Sequence, residues 1–441
     1  MKLTPLWLRS LLVVIFLAAG LPALDATAAT AAPTDCPSTL HCVYVPAAYR
    51  QNSPDPTDYG NYDVANRPAG PTIDGIVVHI TEGDLASVIQ LFQDSTSIAS
   101  AHDVIGRDGT VYVMVPAQDI AYHADNYDYN TRKIGYEIVG HSALGDVTRA
   151  QYRSVALLAQ FDAARFHFPL DRQHIIGHDN VPAPRDALAS GMHVDTGPFF
   201  DWQLLMILLG APVMPNAGPD SQFVTIAPLW PLSRQTVTGC WPTPDLCAPG
   251  GSRPTNFVYL HTAASQSAPL LSDPLLGQGT TDVGNNAAKA YYGQQFVVSD
   301  RQSDTQGTWY QVWYDGQRGW FYSPRWAPTA VPTKGHRVTP KAGLSTVPVY
   351  GQALPESSDY AAAPCVPPAG AMPVPTPLSY TVLAGQQYSL AGQVTAERYR
   401  AVNFDGSALC DRTLYTGTQQ YDVIQFNGRQ YYVRASDVDV S

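Results

Sequence analysis

Between Ile73 and Gly210 short β-branched runs alternate with segments of helical period, and this alternation restricts the chain more than any other feature. The runs are "GIVVHIT" (75–81), "AHDVIG" (101–106), "TVYVMV" (110–115), "IGYEIVG" (134–140) and "QHIIGH" (173–178). Each is too short for a helix and suits a pleated, buried surface. "RDG" (107–109) marks a hairpin between the second and third. In "TRAQYRSVALLAQFDAARFHF", Tyr152, Val155, Leu158 and Phe161 recur at i+3 spacing on a wide apolar face. Asp84 is placed to cap a helix through Phe92, and "FDWQLLMILLG" reads as a last helix ended by Gly210. Strands alternating with helices predict an α/β domain over 71–212, a mixed central sheet flanked by helices.

Past residue 212 the helical signal ends and an all-β texture appears twice, over 213–335 and 336–441. "YYGQQFVVSD" (291–300) matches "VLAGQQYSLA" (382–391), and "WYQVWYDGQRGWFYS" (309–323) resembles "QYDVIQFNGRQYYVR" (420–434). Aromatic strands around an Asp-Gly or Asn-Gly turn are similar to bacterial SH3-like barrels, so two small all-β SH3-like barrels are expected. As targeting modules they would act through exposed aromatics such as Trp309, Trp313 and Trp320. A chain ending near residue 215 would then keep its activity.

Composition sets the compartment and limits the partners. Lys plus Arg number 26 against 37 Asp plus Glu, a net charge of −11. That balance argues against a nucleic-acid partner and against attraction to anionic lipid. Lys2 and Arg9 precede an apolar run from Leu11 to Leu24 and the small residues Ala26-Thr27-Ala28. This is the plan of a signal peptide over 1–28, its run short of the ~18–20 residues a membrane span needs. Residues 29–70, without sustained period, read as an extension wrapped on the next domain. The mature chain is expected to be secreted, free of the membrane and monomeric. Six cysteines fit an oxidising compartment, and none has the spacing of a zinc cluster. Six cysteines allow 15 pairings. Two local staples, Cys36–Cys42 and Cys240–Cys247, and a loop closed by Cys365–Cys410 are the expected set.

The chemistry lies at strand ends. His79 ends an interior strand, and His178 repeats the arrangement before the turn "DNVPAP". Asp195 follows in "GMHVDTGPFFDW" (191–202). Two imidazoles and one carboxylate, with a fourth position left for water, form the ligand set of a catalytic zinc site. Glu137 in "KIGYEIVG" is a carboxylate inside a strand, costly to bury without a partner or a task. The task a hydrolytic zinc site requires is proton transfer from water.

Four motifs in order carry a resemblance: "IVVHIT", "SAHDVIGRDGTVYVMVP", "IGYEIVG" and "GHDNVP…HVDTGPFFDW". They are similar to those of the zinc-dependent N-acetylmuramoyl-L-alanine amidases of the type-2 family, which includes phage lysozyme-type amidases and animal peptidoglycan-recognition proteins. The resemblance spans residues 73 to 202. It implies Zn2+ held by His79, His178 and Asp195, with Glu137 as the catalytic carboxylate. It implies that His193 stabilises the developing oxyanion and that His123, in "AYHADN", is a substrate-binding residue. The implied activity is hydrolysis of the amide between N-acetylmuramic acid and L-alanine in peptidoglycan, by a secreted enzyme associated with the cell wall. The chain departs from the family at a longer stretch between His178 and Asp195 and at Asp-Thr-Gly-Pro in place of Asp-Pro-Gly-Pro. Two alternatives stand beside this reading: a non-catalytic peptidoglycan-binding protein, and a zinc amidase acting on another amide.

Overall fold

The computed structural model describes residues 35–441, so the signal peptide expected over 1–28 lies outside the described residues. The α/β unit is built on a six-stranded sheet. Its strands are β1 (Cys42–Tyr44), β2 (Gly75–Ile80), β3 (Asp103–Ile105), β4 (Val111–Val113), β5 (Lys133–Ile138) and β6 (Ile175–Gly177). Their order across the sheet is β1-β4-β3-β5-β2-β6, and only the β3–β4 hairpin is antiparallel. The five expected runs each form a strand. The sixth, β1, comes from the extension, which therefore pairs with the sheet edge beside Val111–Val113.

Helices cover both faces: α1 (Leu85–Gln93), α2 (Tyr127–Arg132), α3 (Arg149–Phe166) and α4 (Trp202–Leu208). Asp84 caps α1 by accepting the Ser87 N–H. Thr148 and Gln151 form a reciprocal capping box at the start of α3. Ile76, Val78 and Ile80 pack with Val155, Leu158 and Leu205 on one face of the sheet, while Val77 turns to the other. Parallel strands buried on both faces explain why these runs carry no polar alternation except at their carboxyl ends. At those ends sit His79, Glu137 and His178.

The first C-terminal unit forms an antiparallel five-stranded sheet of β7 (Phe223–Ile226), β8 (Gln295–Ser303), β9 (Gly307–Tyr314), β10 (Gln317–Pro324) and β11 (Ala330–Thr333). The second forms an antiparallel seven-stranded sheet that includes the 13-residue strands β12 (Tyr388–Arg400) and β13 (Thr413–Gln425) and the shorter β14 (Gln430–Arg434). The matched segments 291–300 and 382–391 enter corresponding strands, β8 and β12. All three expected disulfides are present, Cys36–Cys42, Cys240–Cys247 and Cys365–Cys410. Trp320 is buried, and Trp309 and Trp313 are half-buried against Tyr322 and Arg318.

These units are not tethered beads, in contrast to the separable modules the repeats suggest. Val77, Tyr129, Ile176 and Val181 share one apolar cluster with Tyr350, Ala396, Tyr421 and Tyr432. Gly351 lies against Ala183 so closely that a Cβ would stand 1.9 Å from its carbonyl oxygen. The buried Arg132 binds Asp128 at 3.0 Å on its own helix and also reaches the Thr395 carbonyl and Glu397. Ridges of this kind have no sequence period, and only the folded chain brings them together.

The turn between β9 and β10 docks onto the second unit: Asp315 N–H donates to the Phe426 carbonyl, and Gly316 N–H to the Tyr388 hydroxyl. The buried Asp315 carboxyl is pushed up to about 10, by burial first and by neighbouring Asp273 second. Unfolded, such a group titrates near ~3.9. Its favourable protonated form is fully present below that pH and is lost as pH rises towards the folded value. Asp315 has φ +54°, a conformation asparagine tolerates. Asp315→Asn is therefore expected to raise the Tm at pH 8 by roughly 2–6 °C and to leave it unchanged below about pH 4. Thermal melts of both proteins across this range with parallel pH slopes would contradict the assignment.

Candidate metal centre

Paired residues on adjacent in-register strands point the same way, so the register His79 opposite Glu137 sets both at one end of the sheet. His178 begins the turn directly after β6, the strand on the other side of His79. Asp195 reaches the same point from the loop before α4, where its Oδ2 accepts the Ile80 N–H at 3.1 Å. His79, His178 and Asp195 are each at most 2% exposed.

Their donor atoms converge. His79 Nδ1 lies 3.0 Å from His178 Nδ1 and 3.5 Å from Asp195 Oδ2, and His178 Nδ1 lies 3.3 Å from Asp195 Oδ1. Ligands on bonds of ~2.0–2.2 Å in a tetrahedron stand about 3.3 Å apart. Asp195 Oδ1 is buried without a hydrogen-bond partner, as an atom kept for a metal would be. Burial alone would raise the Asp195 carboxyl, but His178 and His79 outweigh it and hold it well below the usual carboxylate range. Three such donors with one position open fit a catalytic zinc ion.

His123, expected on the substrate side, lies behind His79 instead. Its Nδ1 is 3.0 Å from His79 Nε2 and its ring is buried. A Cβ on Gly135 would come within 2.5 Å of that ring, so glycine there admits the imidazole. Burial, followed by the neighbouring His79, drives His123 well below the usual histidine range, leaving it neutral. A neutral imidazole on Nε2 fixes the ring of His79 and leaves Nδ1 facing the other donors. Behind it, His102 Nδ1 accepts the Gly135 N–H at 2.9 Å while its Nε2 meets the Arg67 guanidinium at 2.6 Å.

Glu137 has one carboxylate oxygen buried without a partner. Burial first, and Asp195 second, push its carboxyl well above the usual range. Glu82, three residues past His79, is a second carboxylate that sequence reasoning passed over. It accepts the Ser142 N–H at 2.9 Å and is pushed up to about 8, chiefly by burial. Its signal in sequence was only its position directly after the strand-end motif. His193 stands on the rim, 50% exposed, between the buried Met192 and Val194. Its Nδ1 is 3.7 Å from Asp195 Oδ1, and its ring lies 5.9 Å from that of Trp241 in the Cys240–Cys247 loop.

The frame of the site comes from the second β unit. The buried Arg429, beyond β13, donates to the carbonyls of His178 at 3.3 Å and His193 at 3.1 Å, and also to that of Val181. Asn180 Nδ2 donates in turn to the Gly428 carbonyl at 3.0 Å. One loop of the C-terminal sheet therefore holds both histidine-bearing segments.

Residues 69–198 match the family model described as N-acetylmuramoyl-L-alanine amidase. The chain is similar to N-acetylmuramoyl-L-alanine amidase A of Achromobacter lyticus, 27% identical over 34% of this chain and 87% of that protein. It is also similar to the 1,6-anhydro-N-acetylmuramyl-L-alanine amidase AmpD of Citrobacter freundii, 33% identical over 23% of this chain. The match spans 53%, about half, of that relative's length. Among solved structures, a selenomethionine derivative of AmpD aligns at 26% identity with a TM-score of 0.28, covering 37% of this chain and 95% of that one.

Proposed function

We propose that this protein is a secreted, zinc-dependent peptidoglycan amidase that hydrolyses the amide joining N-acetylmuramic acid to L-alanine. The observation that carries the proposal is the convergence of His79, His178 and Asp195 beside the buried Glu137, inside the stretch that matches the amidase family. Bound by those three residues, zinc supplies a Lewis acid that polarises the carbonyl and acidifies water.

The protein's own groups do the rest. Glu137, a buried carboxyl that the charge of a bound zinc ion would favour in its ionised form, takes a proton from the attacking water as the water oxygen bonds to the carbonyl carbon. It passes that proton to the alanine nitrogen as the C–N bond breaks, leaving a free amine and a lactyl carboxylic acid that loses its remaining proton to solvent. His193, exposed on the rim, donates an N–H to the carbonyl oxygen as charge develops there. His123 keeps His79 oriented through its Nε2. Secretion is supported by the charged, apolar and small-residue order of the N-terminus and by three disulfides.

The test is a digest of defined muropeptides followed by mass spectrometry. The expected products carry new alanine amino groups and no new reducing sugars. A chelator is expected to abolish the release and added zinc to restore it. A protein that binds wall fragments but frees no alanine amine in the presence of zinc would be a recognition protein instead.

A further inference from the structure

A recess of about 560 Å³ adjoins the metal centre, and Asp125, Asn126 and Tyr127 contribute to its lining. Asp125 joins the two spaces, its Oδ2 being 3.7 Å from His178 Nε2 and 3.9 Å from His193 Nε2. Part of its lining lies outside the segment that matches the amidase family. Asp63 of the extension and Arg398 and Arg400 on β12 contribute to it.

The charges in that part of the lining are unequal in what they offer. Asp63 is buried and accepts the hydroxyls of Tyr59 at 2.9 Å and Tyr127 at 2.5 Å, and that of Tyr122. Arg400 turns its Nε to the Leu409 carbonyl at 3.4 Å. Arg398 is different. Its guanidinium lies over the Tyr127 ring, 4.0 Å from the centroid, and its side chain makes no hydrogen bond among the described residues. Stacking restrains the group in one plane while its N–H fork stays free, the arrangement that receives a carboxylate with two parallel hydrogen bonds. The volume is in the range of a small-ligand site, not of a packing defect.

We propose that this recess is the subsite for the peptide arm of the substrate, and that Arg398 binds a carboxylate of that arm. The proposal rests on the amidase reading, because only the amine side of the cleaved bond is an acidic peptide. It assigns to the C-terminal sheet a direct part in substrate selection.

Calorimetric titration of the zinc-loaded full chain with L-alanyl-γ-D-glutamyl-L-lysine, and with the same peptide fully amidated, tests it. The parent protein is expected to prefer the peptide with free carboxylates roughly tenfold or more, as hydrogen bonds to a charged group imply. Arg398→Gln is expected to erase that preference, and Arg398→Lys, which keeps the charge but not the fork, to retain part of it. A thermal melt checks that each variant is folded. A parent without preference, or a preference that survives Arg398→Gln, overturns the assignment. Binding is read here without turnover, so the two readings fail separately. A chain that cleaves no muropeptide yet shows the Arg398-dependent preference sinks the amidase and leaves an acidic-peptide site.

Discussion

Glu137→Gln is expected to bind zinc and fold like the parent while losing ~10²- to 10⁴-fold in muropeptide turnover, the usual worth of a positioned acid-base group. The substitution keeps the shape of a side chain whose strand is paired on both sides, with His79 and with Val104, so the sheet has no reason to move. It also removes a buried carboxyl that burial and Asp195 make unfavourable to ionise, and stability should not fall. Asp195→Ala gives the opposite pattern. It deletes one of three converging donors and the acceptor of the Ile80 N–H, so zinc and turnover are lost together. His193→Ala is expected to fall between them, keeping the metal and losing oxyanion stabilisation of roughly 3 kcal/mol. Zinc content and turnover measured side by side separate the three. Parent-level cleavage by Glu137→Gln would remove the proton-transfer role.

Ending the chain after residue 215 is expected to abolish zinc binding and soluble expression together. The cut uncovers Val77, Tyr129, Ile176 and Val181, which pack on the second β unit. It also strips Arg429 from the carbonyls of His178 and His193. Arg429→Ala isolates the second effect. Three carbonyls lose a charged donor inside a buried region, a change of about 3 kcal/mol or more, and zinc affinity is expected to drop at least roughly tenfold as outer-shell losses do. Metal titration of the variant, with its melting curve, checks both. A truncated chain that stays soluble and cleaves muropeptides at the parent rate would show the β units to be dispensable.

What sequence alone determined about this protein is what depends on neighbouring residues. Strands β2 to β6 follow from β-branched runs, and the cap at Asp84 follows from residue type at a helix start. His79, Glu137 and His178 stood out only as a set, since two strand-end histidines with a following aspartate match a metal-ligand pattern and a carboxylate inside a strand is costly to bury. The edge strand Cys42–Tyr44 was not legible, since three residues with no period acquire their conformation from Val111–Val113. Nor was the place of His123 behind His79, which depends on a glycine one strand away. Arg429 and Arg398 lie more than 200 positions from the histidines and Tyr127 they serve. Charged residues in loops and strands read as solvent-facing until a second surface covers them. Tertiary structure alone decided that the second β unit holds the histidine-bearing segments, because hydrogen bonds between distant backbone carbonyls and a buried guanidinium leave no periodic trace in the chain.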